Sequence, residues 1–177
     1  MDEIALVKAS QYGDLEAFGS LTDKYYKNIY RLTYQFTGDH HEADDMRQET
    51  FMRAFNSIKK LRKAESFRGW LYIIASNLLR QNATRKKSHS NLFKNRNIEQ
   101  VTNAGPDDRM NTHERNTVIR KRISQMPEHL RMVTILVIME GISQKEAAKI
   151  LKRSEASISR HLDLARDWLR EKLKKAI

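Results

Sequence analysis

The stretch HHEADDMRQETF, His40 to Phe51, sets two imidazoles and four carboxylates within one helical span. Imidazole and carboxylate together are the ligand set of a divalent metal. His41, Asp45 and Glu49 stand at successive intervals of four, which brings side chains onto one helical face. No second cluster of potential ligands stands out elsewhere, however, and water can satisfy each of these groups. Laid on a helix, the same residues divide cleanly. Ala43, Met46, Thr50, Phe51, Ala54 and Ile58 take the core side. Glu42, Asp45, Glu49 and Met52 take the opposite side, flanked by Gln48 and Arg53. A methionine exposed among carboxylates fits a mixed apolar and acidic contact surface, one that repels DNA and attracts a basic protein. The contact face is the favoured reading, with a solvated face and a metal site as alternatives. His40 and His41 read as surface residues at the helix start.

That acidity is out of keeping with the chain as a whole. Its 177 residues carry 33 Lys and Arg against 22 Asp and Glu, a formal net charge of +11, which makes a polyanion the first partner to consider. There is no cysteine, so disulfide, thiol and Cys-zinc chemistry are excluded, as suits a reducing cytoplasm. The N-terminus MDEIALVKAS lacks a signal-peptide core. The longest apolar run, Met132 to Met139, is too short to span a bilayer, so no membrane insertion is expected. No cofactor is expected either.

Apolar residues recur at helical spacing almost throughout, and with only six Gly and two Pro the fold class is all-α. Leu15, Phe18, Leu21, Tyr25, Ile29, Leu32 and Phe36 mark one long helix, which Gly38-Asp39 ends before starting a second from about His41 to Lys60. A third runs from Phe67 to about Lys87. From Ser88 to about Thr112 the pattern dissolves into polar residues with the Gly105-Pro106 breaker, which reads as a flexible linker. Helices resume near 114–125, 128–139, 143–151 and 155–174. The expected organisation is two small helical domains, 1–88 and 113–177, joined by a linker at 89–112. Such a tethered pair could be extended, or clasped together with its binding faces covered.

The second domain contains a helix-turn-helix. Ser143 to Glu146 forms an S-x-x-E capping box, Ala148 allows two helices to cross closely, and Ile150, Leu151, Ile158 and Leu162 supply a shared core. Ser154 is a good N-cap for the second helix and places Glu155, Ser157, Ser159, Arg160 and His161 in its first turns, where a recognition helix meets base edges. Arg160 is suited to guanine. Lys152 occupies the turn position that glycine would favour.

In the first domain, the third helix has a core stripe of Phe67, Leu71, Ile74, Ala75 and Leu78, with Ser76, Asn77 and Arg80 on the other side. Trp70 reads as core, and Tyr72 stands near the boundary. Lys59-Lys60-Leu61-Arg62-Lys63 precedes this helix and Arg85-Lys86-Lys87 comes after it. Cations around exposed amides and rings suit single-stranded nucleic acid, the cations following the backbone while the bases are engaged unstacked.

These motifs resemble those of the bacterial extracytoplasmic-function (ECF) sigma factors. Ala43-Asp44-Asp45-Met46 followed by Gln48-Glu49-Thr50-Phe51 resembles the family's A-E-D-x-x-Q-E-x-F signature, with Asp44 for the usual Glu. Phe67-Arg68-Gly69-Trp70-Leu71, then Ile74-Ala75 and Asn77, resembles F-x-x-W-L-x-x-I-A-x-N, with Gln81 where the family has Asp. Met126-Pro127 through Arg131, Glu140-Gly141-Ile142-Ser143, Glu146-Ala147-Ala148, Ser157-Ile158 and Ala165-Arg166 resemble its C-terminal domain. Departures there are Lys152 for the turn glycine and Asp163-Leu164 for a basic pair. The resemblance covers nearly the whole chain.

The resemblance implies a protein without catalysis of its own. Asp44, Asp45, Gln48, Glu49, Met52 and Arg53 would dock on the clamp helices of the largest subunit of core RNA polymerase. The minus-ten promoter element would be captured by Lys59, Lys60, Arg62, Lys63, Ser66, Arg68, Tyr72, Ser76, Asn77 and Arg80. Ser154, Glu155, Ser157, Ser159, Arg160, His161 and Arg166 would read the minus-thirty-five element. An anti-sigma factor commonly holds members of this family inactive. The rival reading is a stand-alone helix-turn-helix regulator that never docks on polymerase and binds a palindrome as a dimer.

Overall fold

The computed structural model describes residues 2–92 and 122–174, and all regular structure among them is helical. Helix α1 spans Glu3–Gln11, α2 Leu15–Thr37 and α3 His40–Ser57. Two 3₁₀ turns, Ile58–Lys60 and Ala64–Ser66, lead into α4, Phe67–Leu92. After the residues that are not described come α5, Glu128–Thr134, a π turn over Ile135–Met139, α6, Gln144–Leu151, and α7, Glu155–Lys174. The expected linker loses its first residues to α4, which runs to Leu92; positions 93–112 lie outside the described residues.

Local chemistry sets the helix ends. Asp14 caps α2 by accepting from the Ala17 N–H at 3.0 Å. Gly38 ends that helix at φ 75°, where a side chain would be strained, and its N–H bonds the Tyr34 carbonyl at 2.8 Å. Asp39 then starts α3 by accepting from the Glu42 N–H at 2.8 Å. The reversal is therefore written in two consecutive residues.

In the N-terminal half, Leu21, Ile29, Leu32 and Phe36 of α2 meet Phe51 and Ala54 of α3 and Phe67, Leu71 and Leu79 of α4. Val7 of α1 closes the cluster, and the Gln11 side-chain amide donates to the carbonyls of Ile58 and Leu61, at 3.1 and 2.7 Å. The loop between α3 and α4 is thus pinned at two points.

The two halves pack together. Met132, Val133, Ile135, Leu136 and the buried residues of α6 join the same apolar cluster as Leu71, Tyr72 and Ala75 of α4. Of the two arrangements the sequence leaves open, this is the clasped one. A smaller cluster of Met126, Leu130 and Ala165, with Trp168 and Leu169 against it, binds α5 to α7.

Within the helix-turn-helix, Ser143 accepts from the Glu146 N–H at 3.2 Å and Ser154 from the Ser157 N–H at 3.2 Å, as the caps predict. Lys152 between them lies at φ 52°, ψ 50°. A non-glycine residue pays for the left-handed conformation, so Lys152→Gly should stabilise the protein by roughly 0.5–1 kcal/mol. A higher urea midpoint at unchanged m-value would confirm it; a lower midpoint would show that the Lys152 side chain contributes more than its backbone strain costs.

Candidate protein-docking and nucleic-acid surfaces

The outward side of α3 carries Asp45, Gln48, Glu49, Met52 and Arg53 in the order the helical spacing predicts. Met52 is 60% exposed, and the Glu49 carboxylate accepts from the Arg53 guanidinium at 2.6 Å. Arg53 also reaches the side-chain oxygen of Gln81 on α4 at 3.3 Å. Phe55, 40% exposed and packed edge-on against Phe18 with centroids 5.1 Å apart, extends the apolar part of this face. It recurs three positions after Met52, and that spacing is a signal sequence reasoning could have used.

Two of the four acids are turned to other work. Asp44 is half-buried and pairs with Arg47 at 2.8 Å. Arg47 itself is buried, its guanidinium 3.8 Å from the Tyr26 ring centre and 5.3 Å from that of Tyr30. Glu42, expected on the exposed side, folds onto α4, accepting from Lys86 at 2.6 Å and from the Asn82 amide. Asp45 is exposed and makes no ion pair among the described residues, so the uncompensated outward charge is its own, while Glu49 beside it shares its carboxylate with Arg53. His40 is more than a bystander at the helix start. Its Nδ1 lies 2.6 Å from the Tyr30 hydroxyl and its ring stacks on Tyr34 at 4.3 Å. Among the described residues, no three His, Asp or Glu side chains are grouped so as to hold a metal ion.

The loop between α3 and α4 presents cations by a simple alternation. Ile58, Leu61 and Ala64 are buried at intervals of three, while Lys59, Lys60, Arg62, Lys63 and Ser66 between and beyond them are exposed. The apolar anchors and the two Gln11 bonds hold the backbone still, so the cations project from a fixed base. On α4, Arg68 and Arg80 are exposed and Asn77 is half-buried. Trp70 is half-buried against Phe67.

Tyr72 and Ser76 differ from expectation. Tyr72 is 1% exposed and Ser76 fully enclosed, because the C-terminal half packs over this part of α4. The Tyr72 hydroxyl donates to the Glu140 carboxylate at 3.2 Å. Burial, and the nearby Glu140 charge, push its pKa up to about 12. The Ser76 hydroxyl has no partner among the described residues. No periodicity within α4 could reveal a contact with a segment 68 residues away in the chain.

On α7, Glu155, Ser159, Arg160 and Arg166 are exposed beside the Ser154 cap, and Arg166 pairs with Asp163 at 3.0 Å. Ser157 is half-buried. His161 is half-buried as well, its ring edge-on to His129 with centroids 5.3 Å apart. Burial lowers its pKa, and Arg153, His129 and Arg160 lower it further. Its neutral ring therefore packs against α5 rather than standing clear in solution. Among the described residues, no helix is long and apolar enough to cross a membrane.

Comparison with known proteins matches this layout. Residues 21–89 match the family described as Sigma-70 region 2, and residues 117–169 match Sigma-70, region 4. The ECF RNA polymerase sigma factor SigW of Bacillus subtilis is 29% identical over 177 residues, covering 95% of this chain and 95% of that protein. The RNA polymerase sigma-H factor of Pseudomonas aeruginosa is 28% identical, with 92% and 89% covered. Among solved structures, CnrH in complex with the cytosolic domain of CnrY superposes with a TM-score of 0.73 at 21% identity, over 98% of this chain and 97% of that one. The sigma factor RpoE of Bartonella quintana, in complex with the anti-sigma factor NepR, superposes at 0.76 and 20% identity, over 90% and 98%. The two family matches fall on the two halves already described, in the same order and with the helix-turn-helix in the second, and the chain belongs to the ECF sigma factors of RNA polymerase.

Proposed function

We propose that the chain docks on core RNA polymerase through the outward face of α3 and carries two separate DNA-reading surfaces to the promoter. The observation that supports this division most directly is the separation of charge. Asp45 and Glu49 stand beside Met52 and Phe55 on one helix face, whereas the loop cations and the exposed side of α7 lie on other elements. Like-charge repulsion keeps promoter DNA off the acidic face, and the clamp helices of the polymerase's largest subunit are its partner. Asp45, Gln48, Glu49, Met52 and Arg53 are the principal contacts, with Asp44 at the edge because Arg47 already engages it.

Lys59, Lys60, Arg62, Lys63 and Ser66 follow the phosphates of the non-template strand of the minus-ten element, while Arg68, Asn77 and Arg80 engage its bases. Flipping one base out costs a few kcal/mol, offset by stacking and by phosphate contacts. Ser154, Glu155, Ser157, Ser159, Arg160 and Arg166 read the minus-thirty-five element, with Arg160 placed for guanine. Residues 1–88 and 113–177 serve as the two working units, and the segment between them makes the second DNA contact intramolecular, so two weak contacts add. Polymerase supplies the chemistry. The protein works in the cytoplasm, and an anti-sigma factor is a further partner, as the complex of RpoE with NepR suggests.

The deciding experiment is transcription from a genomic DNA library by core polymerase with and without the protein, mapping RNA 5′ ends. New start sites sharing one spaced pair of elements are expected. A palindromic duplex site bound equally well without polymerase would instead favour the stand-alone regulator. Glu49→Lys should weaken binding to core polymerase roughly tenfold, about 1.4 kcal/mol, and leave nonspecific DNA binding intact or stronger. Equal loss of both would count against the docking assignment. Arg160→Ala should cost about 1–3 kcal/mol at the upstream element without changing polymerase affinity. Unchanged footprints and start-site choice would rule out its part in recognition.

A further inference from the structure

We propose that Arg31, Glu140 and Tyr72 form the latch of a closed state of the free chain, in which the C-terminal half covers the middle of the minus-ten surface while the polymerase-docking face stays open. The proposal rests on the reading of α4 as a DNA surface. Its core observation is a carboxylate with no exposed surface, held between two helices of the other half. The Glu140 side chain is 0% exposed and accepts from Arg31 Nε at 2.6 Å and Nη2 at 2.7 Å, a two-pronged charge-assisted pair. The Tyr72 hydroxyl adds a third bond at 3.2 Å.

The backbone is shaped to deliver this carboxylate. Glu140 directly succeeds the π turn, its N–H bonds the Ile135 carbonyl at 2.9 Å, and the Ile142 N–H reaches back to Leu136 at 3.0 Å. The wider turn holds one residue more than an α turn and rotates the chain beyond it, so Glu140 points inward where α-helical spacing would aim it elsewhere. Two lesser contacts cross the same seam. Arg131 donates to the Phe36 carbonyl at 3.0 Å, near the negative end of α2, and Lys87 pairs with Glu128 at 3.0 Å.

The chemistry of the seam is that of a contact made to part. An interface closed for good is best filled with apolar side chains, since burying an ion pair gains little over them. This one, beside the apolar residues of the shared cluster, encloses a carboxylate, a phenol and the unpartnered Ser76 hydroxyl, groups that water would satisfy on opening. The covered residues, Tyr72 and Ser76, lie on α4 between the exposed Arg68 and Arg80. Asp45, Gln48, Met52 and Arg53 remain exposed throughout, so docking need not wait for opening.

Because the chain has no cysteine, dyes on Ser20→Cys and Lys149→Cys, both exposed and in opposite halves, report opening directly. Single-molecule energy transfer should show the free protein mostly in one high-transfer state. Arg31→Met leaves Glu140 buried and unpaired when closed, so the low-transfer population should grow about tenfold, and affinity for a single-stranded oligonucleotide should rise with it. Arg31→Met/Glu140→Gln removes the orphaned charge and should restore closure at least in part, which a merely misfolded Arg31→Met could not do. As an independent check, a short bis-maleimide joining Lys87→Cys to Glu128→Cys should hold the halves shut and abolish core-dependent transcription relative to the uncrosslinked protein. An unchanged transfer distribution in Arg31→Met, or full transcription by the crosslinked chain, would overturn the latch. Failure of α4 as a DNA surface would show only in the oligonucleotide binding, with the dyes still reporting opening.

Discussion

Helix α4 is buried from two directions, and most of the molecule's organisation depends on that constraint. One side completes the core of the N-terminal half through Phe67, Leu71 and Leu79. Another meets α6 and the π turn of the C-terminal half, enclosing Tyr72 and Ser76. A helix that serves two neighbours has little surface left for solvent. The exposed part of α4 is concentrated at Arg68, Arg80 and the positively charged turns near its C-terminal end.

The Glu140 carboxylate is the most costly group in this arrangement and also the most informative. A charge removed from water is tolerated only when its oxygens are fully bonded, and here three donors from α2 and α4 do that. Arg31, half-exposed, keeps part of its own hydration while neutralising the buried partner. The balance is specific to one relative placement of the halves, because the donors come from separate helices. Apolar packing alone would tolerate some sliding; a bidentate pair with a third bond would not.

Charge elsewhere is sorted by what each helix must touch. The four acids of α3 do not act as a block: Glu42 binds α4, Asp44 binds Arg47, Glu49 binds Arg53, and among the described residues Asp45 is left without an ion partner. On the loop before α4 the sorting is the reverse, with three buried apolar anchors and cations between them. Both patterns leave a small patch of defined sign on a rigid base, which is what selective encounter with two different partners requires.

Much of this was legible in the sequence, and for a clear reason. Helix boundaries depend on residues within a turn of one another, so Gly38-Asp39, Ser143, Lys152 and Ser154 announced their caps and turn conformations directly. The amphipathic split of α3 and the loop cations came from the same local spacing, as did the family resemblance. Other features depend on side chains that meet only after folding. The burial of Tyr72 and Ser76, the diversion of Glu42 and Asp44, the His40–Tyr30 contact and the packing of His161 on His129 each require a second element to arrive. The sequence by itself determined the helices, their caps and the sign of each surface, because those are short-range properties of the chain. Only the tertiary structure decided that the two halves close on each other and that Glu140 lies between them, because that choice depends on desolvation and bonding across residues far apart in sequence.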